Sequence, residues 1–106
     1  MNSKLAKLKK LAQERPDDAF TFFALAKEYE KINDLKKSIE IYYGIMKKDP
    51  NYIGLYYHLG KALEHDNQES EALTIYQKGM AVAQKQNDLH ALSELKNAFQ
   101  NLELEL

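Results

Sequence analysis

Apolar residues along this chain recur with the period of an amphipathic helix. Phe22, Leu25, Ala26 and Tyr29 fall at i, i+3, i+4 and i+7, and Tyr56, Leu59, Gly60 and Leu63 repeat that spacing. Polar breaks separate the periodic stretches. Arg15 to Asp18 combine a proline with two carboxylates able to cap an incoming helix. At Asn33-Asp34 the asparagine tolerates a left-handed conformation closing one helix, and the aspartate can cap the next. Lys48 to Asn51, His65 to Ser70 and Gln86 to Asp88 supply the remaining breaks. The pattern predicts six helices near 3–14, 18–31, 35–48, 52–65, 69–85 and 88–104. Four glycines and two prolines are too few for the frequent turns of an all-β chain. An all-α fold is expected.

The chain also resembles itself. Pro16 and Pro50 lie 34 residues apart, and the same shift pairs Leu25 with Leu59, Lys27 with Lys61 and Glu30 with Glu64. It pairs Asn33 with Asn67, Ile41 with Ile75, Tyr42 with Tyr76 and Met46 with Met80. Near matches include Phe22 with Tyr56, Phe23 with Tyr57, and Leu5 with Ile39 and Leu73. One helix pair of this length cannot bury its own apolar face, so copies must stack to make a core.

A 34-residue helix-turn-helix period resembles the tetratricopeptide repeat (TPR) family, whose pattern is Trp-x2-Leu-Gly-x2-Tyr, then Ala-x3-Phe, then Pro. The first copy reads Phe22-x2-Leu25-Ala26-x2-Tyr29, Ser38-x3-Tyr42 and Pro50. The second reads Tyr56-x2-Leu59-Gly60-x2-Leu63 and Ala72-x3-Tyr76, with Gln84 where proline is expected, so its second helix is free to run on toward Gln86. Small residues at Ala26, Gly60, Ser38 and Ala72 fall where helices must approach closely. The chain looks like one of the short free-standing TPR proteins of bacteria. The resemblance implies antiparallel helix-turn-helix repeats, about two and a half units, stacked as a short right-handed superhelix. Residues 1–106 then form a single TPR-like domain: 3–16 a half repeat, 19–52 and 53–86 the two repeats, and 87–104 a capping helix. The last segment has lost the signature, with His90 and Ser93 where an aromatic residue and Leu would fall. It keeps a stripe of Ala91, Leu92, Leu95, Ala98, Phe99 and Leu102, suited to closing the stack or, alternatively, to docking on another copy or in the groove.

By the same resemblance, the first helix of each pair lines a concave groove that grips an extended peptide or a partner helix. The face beside the packing face carries Phe20, Phe23, Lys27 and Glu30 in the first copy and Gly54, Tyr57, Lys61 and Glu64 in the second. The packing positions are already filled by Phe22, Leu25, Tyr56 and Leu59, which leaves Phe23 and Tyr57 as recognition residues. The charged four also fit a plain solvated helix surface. An exposed Lys–carboxylate contact is worth about 0.2–1 kcal/mol, whereas micromolar binding needs about 8 kcal/mol. The aromatics must supply most of the affinity, and the lysines bias the partner toward an acidic segment with apolar anchors. One subclass of the family clamps a C-terminal carboxylate with paired lysines and asparagines on this face. Here Phe23 and Tyr57 stand at a clamp-lysine position and Lys27 and Lys61 replace the asparagines, so binding of chaperone tails is not expected.

Charge adds a second reading. Residues 1–15 carry Lys4, Lys7, Lys9, Lys10 and Arg15 against Glu14, while residues 86–106 carry Asp88, Glu94, Glu103 and Glu105 against Lys96. Opposite ends would orient head-to-tail stacking of copies, to which Tyr43 and Tyr52 could add aromatic area, so a homo-oligomeric assembly protein using its terminal helices is the alternative. Leu5, Leu8 and Leu11 make the first helix basic and amphipathic, but they fit packing beneath Phe22 and Leu25 better than a membrane surface. Over the 106 residues, 15 Lys+Arg against 16 Asp+Glu leave no cationic excess for nucleic acid. Hydrophobic residues at 44% are ordinary for a globular chain. No cysteine is present, which excludes thiolate sites and suits the cytoplasm. His58 and His65 stand about 10 Å apart along one helix, too far to share a metal. Ser38, Ser70 and Ser93 have no fixed histidine partner, and no glycine-rich phosphate loop exists. A non-catalytic protein without cofactor is expected.

Overall fold

The computed structural model describes residues 3–106. They form six helices: α1 (Ser3–Glu14), α2 (Ala19–Lys31), α3 (Leu35–Lys48), α4 (Gly54–His65), α5 (Glu69–Gln86) and α6 (Leu89–Glu105). The chain divides into two compact units, Met1–Tyr52 and Ile53–Leu106.

In the first unit α2 packs against both α1 and α3. Asp18 caps α2, accepting from the Phe20 N–H at 3.2 Å and the Thr21 hydroxyl at 2.7 Å. Asp34 caps α3 through the Lys37 N–H at 3.2 Å. Between these helices Asn33 takes φ 63°, and the Asp34 N–H reaches back 2.9 Å to the Tyr29 carbonyl. That left-handed closure satisfies the last carbonyls of α2. Ala12, Leu25 and Tyr29 form a core on which Leu5, Leu8, Phe22 and Ile41 pack. Two leucines of the basic first helix are therefore spent on this core, and Lys4 approaches the buried Glu28 carboxylate at 3.7 Å.

In the second unit α4 packs on α5, and α6 packs on both. Asn67 and Asn87 take φ 60° and 56° and close α4 and α5 as Asn33 closes α2. The Gln68 N–H donates to Leu63 at 2.8 Å and the Asp88 N–H to Ala83 at 2.9 Å. Asp88 then caps α6 through the Ala91 N–H at 3.0 Å. The core holds Leu55, Tyr56, Leu59, Leu63, Ile75 and Tyr76, with Leu95, Ala98 and Leu102 from α6.

The helix boundaries fall within one residue of the sequence pattern except at the start of α4. α4 starts at Gly54 rather than near 52, because Asp49 is used as the C-cap of α3 and the Tyr52 N–H turns back onto its carbonyl at 3.0 Å. Ile53 stands at the N-cap of α4, which has no side-chain cap bond. α5 runs on to Gln86, as the glutamine at position 84 in place of proline allows, and Asn87 ends it.

Small residues sit where helices close on one another. Ser38 and Ala72 are fully buried. A Cβ added to Gly60 would lie 2.1 Å from Cε1 of Tyr76, so only glycine lets the Tyr76 ring lie against α4. The positions of α6 that match the packing residues of α2 two repeats on, and of α4 one repeat on (His90, Ser93, Glu94 and Asn97), are all exposed.

Candidate interaction site

Each unit presents one of the two sequence-derived faces, on α2 and on α4. On α2 the residues diverge in their surroundings. Phe20 is 68% exposed at the first turn. Phe23 is half-buried, its ring centroid 5.3 Å from that of Tyr52 and 6.0 Å from that of Tyr42. The Lys27 ammonium hangs 5.4 Å above the Phe23 ring, a cation–π contact that holds an exposed charge over an apolar platform. Tyr52, counted from sequence as exposed area, is instead half-buried against Phe23. Its phenol is raised above the ordinary range by burial and by the charges of Asp18 and Asp49. It therefore remains a neutral donor beside the aromatic pair.

On α4, Gly54 is the first helical residue and leaves a gap where α2 has Phe20. Tyr57 is half-buried and stands edge-on to His58 at 5.8 Å. Lys61 is 3.7 Å from Glu64, an i,i+3 pair on the helix surface. Such a pair restrains the lysine weakly.

Glu30 and Glu64 have a task that the sequence did not reveal. Glu30 Oε2 accepts a short hydrogen bond from the Tyr42 hydroxyl, and Glu64 Oε2 accepts one from the Tyr76 hydroxyl. Each bond ties the first helix of a pair to the second, 12 residues on, and the two ties are 34 residues apart. Burial, then the bond to glutamate and its charge, push both phenols well above their ordinary range. Glu30 and Glu64 thus serve helix pairing first, and what they offer a ligand is the outer side of a carboxylate already in use. The signal was present in sequence as the shared 12-residue Glu-to-Tyr spacing in both repeats.

No helix of the described residues is long and apolar enough to cross a membrane. Among the described residues no group of three or more His, Asp or Glu side chains could hold a metal ion.

The fold in both units is that of a helix-turn-helix repeat protein. No protein-family model matches the chain, and no curated protein matches it. Solved structures do. The crystal structure of a tetratricopeptide repeat domain protein from Salinibacter ruber is 35% identical, with a TM-score of 0.78 over 81% of this chain and 96% of that one. With that identity and coverage, the chain belongs to the tetratricopeptide repeat family. A protein of Bordetella parapertussis is similar at 23% identity and a TM-score of 0.85, covering 99% of this chain and 91% of that one. The TPR2B domain of yeast Sti1, solved in complex with pHsp70, shares the fold at 16% identity and a TM-score of 0.90, over 96% of this chain and 82% of the other.

Proposed function

We propose that this protein is a non-catalytic protein–protein interaction module of the cytoplasm. It binds a peptide segment or partner helix on the first-helix faces of its repeats, the concave groove that the family resemblance implies. In this reading 3–16, 19–52, 53–86 and 87–104 act together as half repeat, two repeats and cap of a single domain. The observation that carries it is the duplicated aromatic–lysine pair: Phe23 with Lys27 on α2, and Tyr57 with Lys61 on α4. Half-buried rings give a ligand apolar area at low entropic cost, and lysines at the next turn favour an acidic segment with apolar anchors. The Sti1 domain bound to pHsp70 supports a peptide or protein as the partner class. Phe20, Glu30, Gly54 and Glu64 surround the four contact residues.

Affinity capture from native lysate tests this, comparing wild type with Phe23→Ala/Lys27→Glu/Tyr57→Ala/Lys61→Glu. Because Phe23 packs on Tyr42 and Tyr52, the milder Lys27→Glu/Lys61→Glu variant is run beside it, with circular dichroism to confirm folding. A protein held by wild type and lost by both folded variants is the expected result. Equal captures by all three would overturn the groove assignment.

A further inference from the structure

Three glycines lie inside helices, and two of them are explained by internal packing. A Cβ at Gly60 would collide with Tyr76, and one at Gly79 would come 2.6 Å from Tyr56 Cβ and 2.9 Å from Leu95 Cδ1. Gly44, in α3, is different: no heavy atom lies within 4 Å of where its Cβ would stand. Glycine is the poorest helix former after proline, so α3 carries a residue that weakens it and that no neighbour in the fold requires.

Gly44 opens onto a cavity of about 570 Å³ within the first unit, between the α1–α2 turn, the start of α2 and the second half of α3. That volume is within the range of roughly 300–1,000 Å³ that ligand pockets occupy. Ala19, Phe22, Ile41 and Ile45 give it apolar walls. Its polar rim is Asp17, Glu40 and Asp49 against one cation, Lys48, whose ammonium is directed to the Pro16 carbonyl at 3.4 Å. None of Phe23, Lys27, Tyr57 or Lys61 lines it, so it is separate from the faces described above.

In the second unit the counterparts of two wall residues are covered by a helix. There α6 brings Leu95 against Gly79, the counterpart of Ile45, and Tyr56, the counterpart of Phe22, is buried beside it. We infer that the first-unit cavity is a second docking site, which seats one apolar side chain of a partner protein's helical segment flanked by lysines or arginines. The apolar walls take the anchor, Gly44 lets the partner's backbone approach α3, and three carboxylates facing one ammonium select a basic segment over an acidic one. The charge preference is opposite to that proposed for the α2 and α4 faces.

The test is an NMR titration of the 15N-labelled protein with two synthetic amphipathic peptides. One carries a single leucine flanked by four lysines, and its twin carries glutamates instead. The lysine peptide is expected to shift the Ala19, Gly44 and Ile45 amides, and the glutamate twin to bind at least tenfold more weakly. Gly44→Leu, which fills the cavity mouth, should melt no lower than wild type and bind the lysine peptide at least tenfold more weakly. The charge reversal Asp17→Lys/Glu40→Lys should exchange the two peptides' order. No shift from the lysine peptide at millimolar concentration would overturn the proposal. So would shifts centred on Phe23 and Tyr57, equal binding of the twins, or Gly44→Leu binding like wild type. Concentration-dependent shifts at Gly44 without peptide would assign the cavity to a second copy and likewise overturn it.

Discussion

The α2–α3 pair and the α4–α5 pair share one tyrosine–glutamate tie and one asparagine closure, but they bring their helices together differently. In the second pair Gly60 faces the Tyr76 ring with no room for a methyl group. In the first, the counterpart of Gly60 is Ala26, fully buried beside a pair whose Tyr42–Glu30 tie is nonetheless made. The polar tie is thus the constant of the repeat, and the closeness of the helices is adjustable by about one methyl group. The outer sides differ as well. α6 covers Gly79, the counterpart of Ile45, in the second unit, whereas in the first Gly44, one position earlier and the counterpart of the exposed Lys78, opens onto a cavity.

The largest effect expected from breaking this comparison is at Gly60. Gly60→Leu should lower unfolding free energy by about 3 kcal/mol, the upper end of ordinary overpacking, in urea denaturation. An unchanged transition would remove the assigned register of α4 on α5. The next effect is shared by both pairs and appears in alkali. Tyr42 and Tyr76 have folded pKa values raised above the unfolded value of 10.0, chiefly by burial. Their contribution is fully present below that value and is lost as pH rises, because the unfolded chain releases those protons first. Stability should fall by about 1.4 kcal/mol per pH unit for each tyrosine above pH ~10. Tyr42→Phe/Tyr76→Phe should flatten that fall to the smaller part due to Tyr52. A fall just as steep in the double variant would break the equivalence of the two ties. The smallest effect has the opposite sign. Gly44→Ala should raise stability by about 0.5–1 kcal/mol, since α3 gains a better helix former and loses no contact. A loss there would mean that Gly44 has a packing role after all.

Much of this fold was legible because local rules and the repeat agree. The two prolines and the Asn33/Asn67 pair mark turns at a fixed interval, and both asparagines take the left-handed conformation that only a few residue types tolerate. Asp18, Asp34 and Asp88 cap the helices that follow them. α4 begins late because the Tyr52 N–H turns back onto the Asp49 carbonyl, a backbone bond that the break at Lys48 to Asn51 does not specify. The candidate faces were legible as positions but not as partners. That Tyr42 and Tyr76 reach Glu30 and Glu64, or that Tyr52 folds against Phe23, depends on where a second helix or a turn returns. Periodicity along one helix carries no such information. The cavity at Gly44 was hidden for a related reason: the sequence shows a glycine, and only the neighbours show whether anything needs it.

The two terminal helices are held unequally, and that sets where the molecule comes apart first. α6 leans on both α4 and α5, with Leu95 and Leu102 almost wholly buried. α1 has α2 as its helix partner and contributes Ala12 as its one buried residue, with half-buried leucines and the Lys4 contact beside it. Each helix of a repeat protein is stabilised by its own propensity and by its neighbours, so local opening should start at α1. Native-state hydrogen exchange should show the amides of residues 7–12 opening at lower free energy than those of 95–102. Added salt should widen that gap by screening Lys4 from Glu28.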